Sequence, residues 1–197
     1  MDIKLTKDIK LAKEDKRNIG IAIFALLVIS PFISISPFQL VTRKEKAMLY
    51  SNTAMADLQR KDLASAEKNF KKASLLDPRN EMYQESLGMT LSNQQEKLNE
   101  ATAVFNNILE KNPNNLTALY FFGSYYQSKG DYEESKKKLQ AYLDVNPQNP
   151  EVLTMLGVVY YKSGNKEGAK EQWQKALQID QNFEAARNNL ATVESEK

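Results

Sequence analysis

From residue 47 onward the chain repeats itself, and the period of that repetition limits the fold more than any other feature. The segments ASAEKNFKKASLLDP (64–78), NEATAVFNNILEKNP (99–113), EESKKKLQAYLDVNP (133–147) and KEGAKEQWQKALQID (166–180) align with one another. Pro78, Pro113 and Pro147, which close the first three, lie 35 and 34 residues apart. Before each runs a second related stretch: YSNTAMADL, YQESLGMTL, LYFFGSYYQSKGDY and LTMLGVVYYKSGNK. Self-similarity at a fixed period of this length marks a repeat architecture, in which a unit cannot bury its apolar face alone and successive units stack into one continuous core.

The positions that recur are specific ones. The last unit carries Leu153, Leu156, Gly157, Tyr160, Gly164, Ala169, Trp173 and Ala176, and the third Leu119, Phe122, Gly123, Tyr126, Gly130 and Pro147. The first keeps Ala54, Ala66, Phe70, Ala73 and Pro78, and the second Leu87, Gly88, Ala101, Phe105 and Pro113. At these residues the chain resembles the tetratricopeptide repeat family, in its membrane-anchored bacterial form. The resemblance implies an all-α, right-handed α-solenoid of about four repeats (47–80, 81–115, 116–149 and 150–183), then a capping helix and tail at 184–197. Three departures carry expectations of their own. The second unit has one extra residue and no glycine around Asn93 to Asn99, which predicts an irregular turn; Tyr142 replaces a small alanine, which predicts a locally widened helix contact; and Gln181 replaces the closing proline.

Residues 19–41 (IGIAIFALLVISPFISISPFQLV) carry no charge, and as a helix would run about 34 Å, enough for a hydrocarbon core of about 30 Å. The reading is one transmembrane helix between a tail at 1–18 and a linker at 42–46, with a kink near Ser30 or an early end before Pro37. A cleaved signal peptide fits less well, because the run is long, its leader is long and mixed in charge, and no small-x-small pattern follows it. The leader holds six Lys/Arg against four Asp/Glu, while the rest is balanced at 21 each. That predicts a single-pass protein of the cytoplasmic membrane, N-terminus inside and repeats on the extracytoplasmic side. Within the leader, Ile3, Leu5, Ile9 and Leu11 alternate in a tandem hexapeptide (Asp2–Lys13) that reads either as a strand able to join a partner's sheet edge or as a loosely ordered segment near the headgroups.

The sequence has neither cysteine nor histidine, which removes thiolate nucleophiles, imidazole bases, disulfides and nearly all transition-metal sites. Phosphate-binding glycine loops, paired-aspartate metal motifs and nucleophile elbows are absent too, so no enzyme, cofactor, metal or small-molecule substrate is expected. The basic run Lys136–Lys138 follows Glu133 and Glu134 and reads as a solvated helix face, not a nucleic-acid site.

What the resemblance implies instead is a groove formed by the first helix of each unit. It places Met48, Ser51, Asn52, Met55 and Leu58 there, then Met82, Glu85, Ser86, Met89 and Asn93. The third unit adds Thr117, Tyr120, Phe121, Ser124 and Gln127, and the fourth Thr154, Met155, Val158 and Tyr161; Phe121 and Met155 read equally well as packing between adjacent repeats. Ser51 and Met55 stand where carboxylate-clamping members of the family have Lys and Asn, so that activity is not implied. A Met- and Tyr-rich groove with few charges suits an apolar or mixed peptide segment. The expected function is a membrane-anchored protein-protein interaction scaffold, a structural or assembly subunit of a membrane-associated complex whose other subunits are its partners. A transient chaperone or receptor for unfolded or targeted clients is the alternative.

Overall fold

The computed structural model describes residues 42–195; the expected tail, membrane span and hexapeptide lie outside the described residues. Within them the chain forms nine α-helices, one 3-10 turn and no strand. The helices are α1 (Arg43–Gln59), α2 (Leu63–Leu76), α3 (Glu81–Ser92), α4 (Leu98–Lys111), α5 (Leu116–Lys129), α6 (Tyr132–Val145), α7 (Pro150–Lys162), α8 (Lys166–Ile179) and α9 (Glu184–Ser195). They pack as the pairs α1/α2, α3/α4, α5/α6 and α7/α8, with α9 closing against α8 and α7. Among the described residues no helix is long and apolar enough to cross a membrane. Helix α1 starts at Arg43, inside the stretch 42–46 read as a linker. The Arg43 guanidinium donates to the Leu75 carbonyl at 3.4 Å, and Ala47 is buried with Ala73 and Tyr83, so the helical start is held against α2 and α3.

Helix starts are written in the sequence as Asx residues. The side chains of Asp62, Asn80, Asn115, Asp131, Asn149 and Asn165 each accept from a backbone N–H two or three residues on, satisfying donors that the first helical turn leaves open. The Ser65 N–H holds the Asp62 carboxyl below its usual range. Helix α4 has no such cap; the 3-10 turn Gln95–Lys97 precedes it, where the sequence predicts an irregular turn. Glu67 of α2 secures that turn, pairing with Lys97 and accepting from Gln94 at 3.4 Å.

Within each pair a small residue on the first helix meets a large one on the second. A Cβ on Gly88 would lie 2.7 Å from the Phe105 ring, and a Cβ on Gly123 or Gly157 would collide with Leu139 or Trp173. The buried Trp173 indole N–H donates to the Thr154 carbonyl at 3.1 Å, and the Ser135 hydroxyl to the Gly123 carbonyl at 2.7 Å, so the tight approaches leave no polar atom unpaired. The widening expected at Tyr142 does not occur. Its ring is buried in the core and its hydroxyl accepts from the Asn149 amide at 3.0 Å, so α6 and α7 keep full contact. The thinnest junction between units is instead α4 with α5, where Phe105 and Phe121 stack at 4.3 Å between centroids and their rings hold the backbones apart.

Candidate groove on the first-helix face

Successive first helices touch one another, α3 with α5, α5 with α7 and α7 with α9, whereas successive second helices make no comparable contact. The first helices therefore line the inner face of the array. Two cavities open on it. One of about 210 Å³ lies between α1, α3 and α5, lined by Met55, Leu58, Glu85, Ser86, Met89, Asn93 and Thr117 over Phe70. The other, of about 300 Å³, lies between α3 and α5 and is lined by Met89, Ser92, Leu98, Tyr120, Phe121, Ser124, Tyr125 and Ser128 among others. Met89 and Asn93 border both, so the two cavities lie side by side and together make a trough on the first three units.

Met55 and Met89 form its apolar lip, and Met48 and Met82 lie beyond it, seven residues earlier on the same helices. Met48, Met55, Met82 and Met89 are 53%, 52%, 59% and 39% exposed, and the heptad interval within each helix puts both of its methionines on nearly one face. Beneath them the floor is aromatic. Phe121, only 6% exposed, stacks on Phe105 and lies 5.8 Å from Tyr125, while Phe122 and Tyr126 continue the cluster at 5.9 Å.

Glu85 is the charged residue lining this trough, and its position is fixed. One carboxylate oxygen accepts from the Asn115 amide at 2.6 Å, the other from the Thr117 hydroxyl at 3.0 Å. Asn115, itself buried, also caps α5 through the Ala118 N–H and donates to Glu81 at 3.1 Å. A helix cap of the third unit thus orients an acid of the second.

The remaining expected groove residues divide. Ser51 is half-buried and Asn52 exposed on α1; Ser124 is exposed at the second cavity, and Gln127 is half-buried. Tyr120 is half-buried and donates its hydroxyl to Glu151 at 2.6 Å; burial first, then that bond, push its pKa to about 12. Thr154 is buried, its hydroxyl bonded to the Pro150 carbonyl at 2.7 Å, and Met155, Val158 and Tyr161 pack against the core, with Tyr161 6.2 Å from Trp173. In the fourth unit these side chains are partly spent on packing. Tyr125, Leu98 and Ser128, which line the second cavity, were not anticipated; Tyr125 lies one turn beyond Phe121, and that i to i+4 step was the signal available. On α6 the basic run is taken up locally, with Lys136 on Glu133 at 2.7 Å, Lys137 on Glu134, and Lys138 5.8 Å over the Phe122 ring.

Residues 126–193 match the tetratricopeptide repeat family model. Solved structures extend the tetratricopeptide likeness over most of the chain. MamA 41-end from Desulfovibrio magneticus RS-1 is 23% identical, covering 77% of this chain and 85% of that one with a TM-score of 0.69. A tetratricopeptide repeat protein from Parabacteroides merdae is 25% identical over 76% and 59%, TM-score 0.67, and pilF of Pseudomonas aeruginosa 21% identical over 78% and 70%, TM-score 0.69. At such identities the likeness establishes the tetratricopeptide fold. No curated protein matches the sequence.

Proposed function

We propose that the chain is a protein-interaction scaffold that holds an extended or helical segment of another protein subunit in the trough across α1, α3 and α5. The observation that carries this reading is the adjoining pair of cavities, rimmed by the exposed thioethers of Met55 and Met89 and floored by stacked rings. The segment it suits has apolar side chains for Met55, Met89 and the Phe121–Tyr125 floor, and one Lys or Arg opposite the fixed Glu85 carboxylate. Residues 19–41 supply a membrane anchor in this proposal, with the repeats on the extracytoplasmic side and the chain a stable member of a membrane-associated complex; the uncharged run and the basic leader support it.

Full-length protein purified in mild detergent tests the binding face. Truncating a contact anchor commonly costs on the order of 2 kcal/mol, about thirtyfold in affinity, whereas rim charges cost much less. Met55→Ala with Met89→Ala is expected to abolish retention of a stoichiometric partner while the thermal midpoint stays within a few degrees; Lys136→Ala, Lys137→Ala and Lys138→Ala together leave retention intact. Loss with the lysine set alone overturns the groove. For orientation, a reporter active only after export, fused after Lys197, is expected to be active, and activity solely from a cytoplasm-dependent reporter contradicts the placement.

A further inference from the structure

The sequence contains six methionines and no cysteine, so thioethers are its whole sulfur chemistry. Four of the five methionines within the described residues stand at least 39% exposed, and all four are on the first helices of the first two units. The fifth, Met155, is half-buried against the core cluster of Leu156 and Trp173. Leucine would supply the same apolar volume at these exposed positions, but it cannot be oxidised under mild conditions. Among the described residues, the most solvent-accessible sulfur is thus gathered on the first helices of the first two units.

We propose that Met48, Met55, Met82 and Met89 form a modification site for peroxide-class oxidants that, through Met55 and Met89, switches the groove lip from apolar to polar. In each event the thioether sulfur gives two electrons to hydrogen peroxide as the O–O bond breaks. One oxygen atom bonds to sulfur as the sulfoxide and the other leaves as water. Susceptibility follows exposure, and a sulfoxide is a polar, chiral group that methionine sulfoxide reductases convert back to the thioether. Sulfoxides at Met55 and Met89 set hydrogen-bond acceptors where an apolar side chain would lie, so oxidation of the empty groove blocks its filling. That consequence rests on the groove reading above; the modification itself does not.

The test treats the full-length protein in mild detergent with dilute hydrogen peroxide and follows each methionine by peptide mass mapping. Positions 48, 55, 82 and 89 are expected to gain oxygen at least about tenfold faster than position 155. The thermal midpoint should hold through that phase, because the four side chains lie outside the core, and sulfoxide reductases of both stereospecificities should remove the added oxygen. A variant with all four replaced by leucine should melt normally and take up oxygen at 155 at an unchanged rate. Equal rates at 155 and the four positions overturn the proposal, as does collapse of the melt once the four are oxidised, which would make them structural. Neither readout uses a partner, so failure here is distinct from failure of the groove reading.

Discussion

Lys61 ends the turn after α1 with φ at 60°, in the left-handed region, where the third and fourth units place Gly130 (φ 78°) and Gly164 (φ 88°). An L side chain in that conformation costs roughly 1–2 kcal/mol that glycine avoids, partly offset by glycine's freer unfolded chain. Lys61→Gly is therefore expected to raise unfolding stability by about 0.5–1 kcal/mol in urea titrations. Tyr120 offers a pH signature. Its folded pKa near 12 lies above its ordinary value of 10.0, so the stability it contributes is whole below pH 10 and is lost as pH rises toward 12. In urea titrations at about pH 8 and about pH 11, the advantage of wild type over Tyr120→Phe should shrink at the higher value. The sequence carried some of this residue detail. Glu85 and the methionines could be placed on a face because exposed helical positions follow the period, whereas Phe121 shares their face and yet is floor. Its depth is set by Phe105, sixteen residues away on another helix, and no local pattern reports that.

At the scale of elements, each pair depends on a small residue facing a large one. Gly157→Ala places a methyl group inside the Trp173 indole, and overpacking of this kind costs about 1–3 kcal/mol; Gly164→Ala, with open space around it, is instead strained by its backbone. A drop in chemical-denaturation midpoint for Gly157→Ala, with the Trp173 fluorescence maximum displaced, checks the contact. The helix pairs were legible because turn glycines and closing prolines act locally, whereas the Asx caps that set the helix starts were not singled out. The 3-10 turn before α4 was legible as an irregularity, but its clamp by Glu67 was not, since Glu67 lies thirty residues before Lys97. The widening assigned to Tyr142 failed for a related reason: a bulky ring separates helices only if it points between them, and the Asn149 amide gives its hydroxyl an outlet. Where rings do intervene, at Phe105 and Phe121, the junction thins, and Phe121 also lines the cavity between α3 and α5.

For the whole molecule, the buried core residues of the described structure run from Ala47 to Val193 and form three clusters with one another. A chain of residues 42–197 should therefore fold as a soluble, almost wholly helical domain, and a circular-dichroism spectrum with substantial sheet would contradict that. The period in the sequence revealed the array of pairs because stacking is dictated unit by unit; the trough was only outlined, because its depth depends on how far α3 and α5 stand apart. That trough is the central claim, and site-specific photo-crosslinking tests it most directly. A photoreactive side chain at Ser124, exposed at the second cavity, is compared with one at Gln140, exposed on the second helix of the same unit. In living cells the Ser124 probe is expected to yield one dominant adduct with a stoichiometric partner protein, and the Gln140 probe little or none; the same adduct from Gln140 with none from Ser124 would contradict the account.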